Sequence, residues 1–71
     1  LIPDGYVRNT AERLSLYRRI SDAGREEELQ AIQRELQDRF GLIPPPTLAL
    51  FDTIRIRELA RRLGFERIAL K

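Results

Sequence analysis

The chain has 71 residues, enough for one small domain that buries only about 60% of the surface of its unfolded state. It contains no Cys and no His, which excludes a disulfide framework, a structural zinc site and imidazole chemistry. Charged residues make up 34% of the chain, yet the formal net charge is only +2. Residues 1–42 carry a net charge of −1 and residues 43–71 a net charge of +3. An asymmetry this small is weak evidence for a nucleic-acid-binding protein.

No apolar run approaches the roughly 20 residues that a membrane-spanning helix needs, and no segment has the pattern of a signal peptide. The chain begins without Met and ends directly after a strand-like run. We therefore expect a piece of a longer cytoplasmic protein, with residues 1–71 forming one partial domain. Residues 1–8 contain Pro3 and the turn dipeptide Asp4-Gly5, which predicts an extended or looped lead-in.

The first helix should open at Asn9, which forms a variant of the capping box with Glu12. It should end within residues 21–24, because Ser, Asp and Gly favour turns over helix interiors. Three glutamates, residues 26–28, should open the second helix by complementing the positive end of its dipole, although Arg25 is a poor N-cap residue. The apolar stripe of this helix has helical spacing and comprises Leu29, Ile32, Leu36 and Phe40.

The stretch ELQDRFGLIPPP, residues 35–46, should separate the second helix from a third. Gly41 occupies the position of a left-handed C′ residue, and we expect Leu42 to pack back onto the last turn. The three prolines that follow cannot lie inside a helix, so the third helix should begin near Pro46 and run to Leu63, before Gly64.

The third helix carries apolar residues on nearly every side, which predicts a central element buried on several sides. After it, the segment FERIAL, residues 65–70, alternates in the manner of a β-strand whose pairing partner is not in this chain. The sequence therefore predicts a mainly α, three-helix fragment with a candidate terminal strand.

Four side chains are candidates for a site. Glu35 and Asp38 should face away from the apolar stripe of the second helix, and solvated carboxylates are the simplest interpretation. Asp52 projects onto an apolar side of the third helix and needs a partner. Arg55, three residues further on, would form a structural ion pair with it.

The sequence gives little support for a catalytic site or for a DNA-binding surface. No phosphate-binding loop, catalytic triad or metal-spaced cluster is present, so the fragment is predicted to be non-enzymatic and to hold no cofactor. The arginines of the third helix suggest DNA binding as an alternative, but they interleave with apolar positions and form no single stripe. These residues are Arg55, Arg57, Arg61 and Arg62.

Several motifs together resemble one known family. The chain contains LIPDGYV, then RLSLYRRI, then EL..I..EL.DRFG.IP.P, then L....RIRELARRLG. In this order and spacing they resemble the C-terminal domain of bacterial transcription-repair coupling factors across essentially all 71 residues. The resemblance covers the first two-thirds of that domain, which in full is an α+β domain with further strands and a helix.

The resemblance implies a regulatory role. Such proteins are ATP-dependent translocases on double-stranded DNA that displace stalled RNA polymerase and recruit UvrA for nucleotide excision repair. Their ATP and Mg²⁺ site lies in other domains. The C-terminal domain packs on the protein's own N-terminal UvrB-like module, covers the surface that UvrA binds and restrains the translocase. The acidic residues that make this contact in the family correspond here to Glu35 and Asp38.

Three hypotheses follow. In the first, Glu35 and Asp38 pair with basic residues of the N-terminal module and so mask it, an autoinhibitory contact. In the second, the fragment is a small arginine-rich helical module that binds DNA. In the third, it is a structural cap on the translocase without a masking role.

Overall fold

The computed structural model describes residues 2–64. It contains three helices, α1 (Thr10–Asp22), α2 (Glu26–Phe40) and α3 (Pro45–Arg62). No strand occurs between residues 2 and 64, which confirms the mainly α class for that part of the chain. The predicted strand at residues 65–70 lies outside the described residues. Across the same range, no helix is long and apolar enough to cross a membrane.

The starts of α1 and α2 follow from local chemistry. Oδ1 of Asn9 accepts a hydrogen bond from the backbone N–H of Glu12 at 2.9 Å, which confirms the predicted cap. Arg25 makes no side-chain cap for α2, as its residue type predicts. Instead Oε1 of Glu28 accepts a hydrogen bond from the backbone N–H of Gly24 at 3.1 Å. The acidic first turn therefore stabilises α2 by hydrogen bonding as well as by charge.

The core is apolar and receives residues from all three helices, from the lead-in and from the loops. The stripe of α2 supplies three buried residues, as predicted, whereas Phe40 at its end is half-buried. The Phe40 ring lies 5.6 Å from the Tyr6 ring, centroid to centroid. The buried apolar residues are Ile2, Val7, Leu16, Ile20, Ala23, Leu29, Ile32, Leu36, Ile43, Phe51 and Ile54.

The lead-in is part of the packed structure. After a turn at Asp4-Gly5, as predicted, Val7 is fully buried, and Nη1 of Arg13 on α1 donates to the Val7 carbonyl at 2.6 Å. The Tyr6 hydroxyl lies 2.8 Å from the Gly41 carbonyl oxygen and 3.2 Å from that of Leu36. Carbonyls at a helix C-terminus lack partners within the helix. The lead-in thus holds the last turn of α2 in place.

The corner between α2 and α3 depends on Gly41. Its φ of 91° confirms the predicted need for glycine, but its ψ of −162° is not that of the predicted left-handed helical conformation. The prediction for Leu42 was wrong, because its side chain is 89% exposed. The reason is the ψ of −162° at Gly41, which is extended and directs the chain away from α2 instead of back along it. The next residue, Ile43, is buried in the core instead.

Helix α3 begins at Pro45 and ends at Arg62, one residue earlier at each end than predicted. Proline suits the first helical position because its missing N–H has no helical partner there. One face of α3 is buried through Thr47, Phe51 and Ile54.

The prediction that α3 is buried on several sides was wrong for the described residues. A second apolar face of α3 is exposed and lies about 130° around the helix axis from the buried face. Its residues are Leu48, Ile56 and Leu59, together with Leu63 directly after the helix. The helical wheel showed apolar residues all round, but α1, α2 and the lead-in contribute enough surface to cover only one side.

Substitution of Gly41 by Ala tests the corner. A Cβ at residue 41 would meet no atom within 4 Å, so the cost comes from the backbone alone. We expect Gly41→Ala to lower the free energy of unfolding by about 1–3 kcal/mol, measured by urea denaturation of a polypeptide carrying the complete domain. Gly5→Ala is the control, since Gly5 has no positive φ and equally open space. Equal stability of the two variants would contradict this account.

Candidate functional site

Glu35 lies on α2 opposite Arg19 of α1. Nη2 of Arg19 donates to Oε1 of Glu35 at 2.8 Å, and Nη1 donates to Oε2 at 3.0 Å. Such paired bonds between a guanidinium and a carboxylate are among the strongest hydrogen bonds in proteins. The Glu35 side chain is 33% exposed. It faces away from the apolar stripe, yet it is not the freely solvated carboxylate that the wheel suggested, because α1 supplies a partner.

Arg39 extends this contact into a network. Its Nη1 donates to Oε2 of Glu35 at 3.2 Å, and its Nη2 pairs with Oε2 of Glu12 on α1. Glu12, Arg19, Glu35 and Arg39 together form what we call the α1–α2 charge network. The start of α1 thereby meets the end of α2, so the two helices run in opposite directions. The network contains two acids and two bases and has no net charge.

The network changes the acidity of Glu35. Hydrogen bonds from Arg19, with the positive charges of Arg19 and Arg39, lower the pKa of Glu35 to about 2. Burial opposes this effect but is the smaller influence. Glu35 is therefore ionised throughout the physiological range.

Asp38 lies three residues after Glu35, on the same side of α2. Its side chain is exposed, and among residues 2–64 it has no hydrogen-bond or ion-pair partner. Glu35 and Asp38 are thus neighbours of different character. The carboxylate of Glu35 is neutralised by arginines within the domain, whereas that of Asp38 is exposed to solvent.

Asp52 and Arg55 lie close together on α3, with Nη1 of Arg55 3.3 Å from Oδ1 of Asp52. Asp52 is 68% exposed. Arg55 makes shorter contacts with α2. Its Nε donates to Oε1 of Glu26 at 2.9 Å, and its Nη2 donates to Oε1 of Gln33 at 2.5 Å. The principal role of Arg55 in this structure is to join α3 to α2.

Two further arginines of α3 also have partners within the chain. Nη2 of Arg57 donates to the backbone carbonyl of Ser21, in the last turn of α1, where a cation complements the helix dipole. Nη1 of Arg61 donates to Oε2 of Glu58 at 3.1 Å. Arg62 is exposed. The arginines of α3 therefore do not form a continuous surface of unpaired positive charge.

Sequence reasoning did not identify the partners of Glu35. The spacing of four between Glu35 and Arg39 is a signal that could have been used. No local signal connects Arg19 with Glu35 or Glu12 with Arg39, because these residues are 16 and 27 positions apart. Their pairing depends on how α1 packs against α2.

The amino-acid sequence that forms these helices can be compared with those of known proteins. A family model described as the TRCF domain matches residues 1–71. The chain belongs to the TRCF domain family. The predicted resemblance is thereby confirmed.

Curated relatives of this TRCF domain are named transcription-repair-coupling factor. The protein from Escherichia coli (strain K12) is 44% identical over 68 residues, or 96% of the chain. The protein from Rickettsia conorii is 40% identical over 67 residues, or 94% of the chain. The protein from Mycobacterium bovis is 36% identical over 63 residues, or 89% of the chain. The chain spans only 6% of the length of the first two relatives and 5% of the third.

The pKa of Glu35 predicts acid sensitivity. Because the pKa is lowered in the folded state, this group stabilises the fold fully above about pH 4.5, and the contribution is lost as the pH falls towards about 2. Glu35→Gln should therefore be less stable than wild type at neutral pH, and the difference should shrink in that acid range. Urea denaturation from pH 7 to pH 2 would measure it.

The matched control for this experiment is Asp38→Asn. It removes a carboxylate from the same helix, but one with no ion pair within residues 2–64. At neutral pH, Glu35→Gln should cost more stability than Asp38→Asn. A pH-independent difference between wild type and Glu35→Gln would show that the ionised carboxylate of Glu35 does not stabilise the domain.

Proposed function

We propose that this TRCF domain is a non-enzymatic regulatory module of a transcription-repair coupling factor. The parent protein would be an ATP-dependent translocase on double-stranded DNA that displaces stalled RNA polymerase and recruits UvrA. ATP and Mg²⁺ would bind in other domains. The TRCF domain would bind the parent's own UvrB-like N-terminal module through the acidic side of α2, and thereby cover the surface that UvrA requires.

The observation that carries this proposal is the exposed carboxylate of Asp38, which lies beside Glu35 and has no ion-pair partner among residues 2–64. Asp38 lies in the final turns of α2, whose end is held by hydrogen bonds to the lead-in and by ion pairs to α1. A charge on a well-supported helix can pair with a basic side chain without first becoming ordered. Charge pairs of this kind determine which partner binds and in which orientation.

The contact proposed here must be weak enough to open. Couplings between sites in regulated proteins are typically about 1–3 kcal/mol. One or two partly exposed charge pairs contribute an energy of this order.

DNA binding is the less favoured function. Three of the four α3 arginines that suggested it are engaged within the domain, with Glu26, with the Ser21 carbonyl and with Glu58. To contact phosphates, Arg55 and Arg57 would have to leave partners that connect α3 to α2 and α1. That exchange would oppose the favourable release of counterions on which DNA affinity depends.

Charge reversal tests the masking function. The double variant Glu35→Lys and Asp38→Lys, made in the full-length parent protein, should repel the basic partner surface and open the autoinhibited state. We expect tighter binding of UvrA, by about 5- to 150-fold if the full coupling is lost, and a higher ATPase rate. Titration of labelled UvrA and a steady-state ATPase assay would measure these effects. Unchanged values for both would contradict the proposal.

The control for charge reversal is Asp22→Lys. Asp22 is an exposed acid in the last turn of α1, as Asp38 is near the end of α2, so both changes complement a helix dipole similarly. Asp22→Lys should leave UvrA binding and ATPase rate near wild type. If the double variant changes only thermal stability, the domain is a structural cap.

A salt titration separates masking from DNA binding. The complete domain should show no DNA binding by fluorescence anisotropy at about 0.15 M salt, an ionic strength at which exposed charges are well screened. Binding that weakens steeply with salt, with a slope of several units in the double-logarithmic plot, would instead support the arginine-rich module. Arg62→Gln would then be the first variant to test, because Arg62 is exposed.

A further inference from the structure

The carboxylate of Glu35 is already largely occupied inside the domain. It accepts three N–H groups, two from Arg19 at 2.8 and 3.0 Å and one from Arg39 at 3.2 Å. An ionised carboxylate has about four sites for hydrogen bonds. A basic side chain from a partner could therefore form at most one further strong bond to Glu35 while these contacts persist.

Charge reinforces this limitation. A cation that approaches Glu35 meets the guanidinium groups of Arg19 and Arg39 within hydrogen-bond distance of the same carboxylate. Like charges at this separation repel each other, and the repulsion is only partly screened by salt. Glu12 compensates one of the two cations through its pair with Arg39. Arg19 has no second acidic partner among residues 2–64, so its charge opposes the incoming cation directly.

The arginines of the network are nevertheless exposed enough for another cation to replace them at Glu35. The side chains of Arg19 and Arg39 are 44% and 43% exposed. The paired hydrogen bonds are strong in themselves, but the net free energy they contribute at a partly exposed surface is limited because water solvates both groups when they separate. The Arg19 side chain can therefore leave Glu35 when another guanidinium or ammonium group takes its place.

We propose that Arg19 is an intradomain competitor for Glu35, so that the domain limits the strength of its own autoinhibitory contact. This inference rests on the proposed masking function. A basic residue of the partner module pairs with Asp38 without displacing anything. It gains a paired contact with Glu35, made through two hydrogen bonds, only by exchange with Arg19. The competition makes the closed state weaker than two free carboxylates would make it, and hence easier for UvrA to open.

Arg19→Gln tests the competition in the full-length parent protein. The change removes the competing charge but keeps a polar side chain on the exposed side of α1. Fluorescence energy transfer between a dye on the N-terminal module and one at the exposed residue Ala49 would report the ratio of closed to open molecules. We expect Arg19→Gln to raise this ratio about two- to fivefold, which is the effect of one exposed charge pair, and to move opening to higher NaCl concentration.

Arg18→Gln is the matched control. Arg18 precedes Arg19 on α1, is exposed and has no partner among the described residues, so the variant makes the same change in net charge. It should leave the ratio near wild type. A ratio for Arg19→Gln that is unchanged, or shifted towards the open state, would overturn the competition and show instead that Arg19 holds Glu35 in its binding position.

Two further variants keep the outcome unambiguous. Arg19→Lys retains the charge but loses the paired hydrogen bonds, so it should give a smaller gain and serves if Arg19→Gln lowers stability in a thermal melt. Arg19→Gln combined with Glu35→Gln should show no gain over Glu35→Gln alone, because competition requires the carboxylate. A separate variant, Asp38→Lys, tests the masking function itself. If Asp38→Lys gives the same energy transfer as wild type, the masking function and the competition are both overturned.

Discussion

The paired hydrogen bonds between Arg19 and Glu35 connect the fold of this domain with its proposed function. Together with the Arg39–Glu12 pair near the start of α1, they hold α1 against α2, and the two helices run in opposite directions. They also hold one of the two acids on the outer side of α2 and leave the other, Asp38, unpaired among residues 2–64. The charge available to a partner is thus determined by packing between helices as much as by the acids themselves.

The end of α2 is supported from several directions. The Tyr6 hydroxyl contacts backbone carbonyls there, and the guanidinium of Arg39 lies 4.7 Å from the centre of the Phe40 ring. Gly41 then directs the chain away so that the prolines can begin α3. A surface built in this way presents Asp38 with little conformational entropy to lose on binding, which suits a contact of modest strength.

The helix ends and the corner at Gly41 were predictable because each depends on only a few neighbouring residues. The Asn9 cap, the acidic start of α2, the glycine at residue 41 and the proline start of α3 each depend on backbone chemistry within a few residues. The burial of α3 was not predictable in the same way. A helix with apolar residues on all sides gives no indication of which side its neighbours cover, and here Phe51 is buried whereas Ile56 is exposed.

The sequence by itself determined the helices, their ends, the family and the outward position of Glu35 and Asp38, because periodicity and capping act over one or two turns. Only the tertiary structure decided that these two acids differ. The Arg19–Glu35 pair spans 16 positions and exists because α1 folds back on α2. Asp38 lies beyond the reach of that helix pairing, since no side chain among residues 2–64 bonds to it. Contacts between distant residues depend on how the helices pack, and the local sequence pattern does not determine that packing.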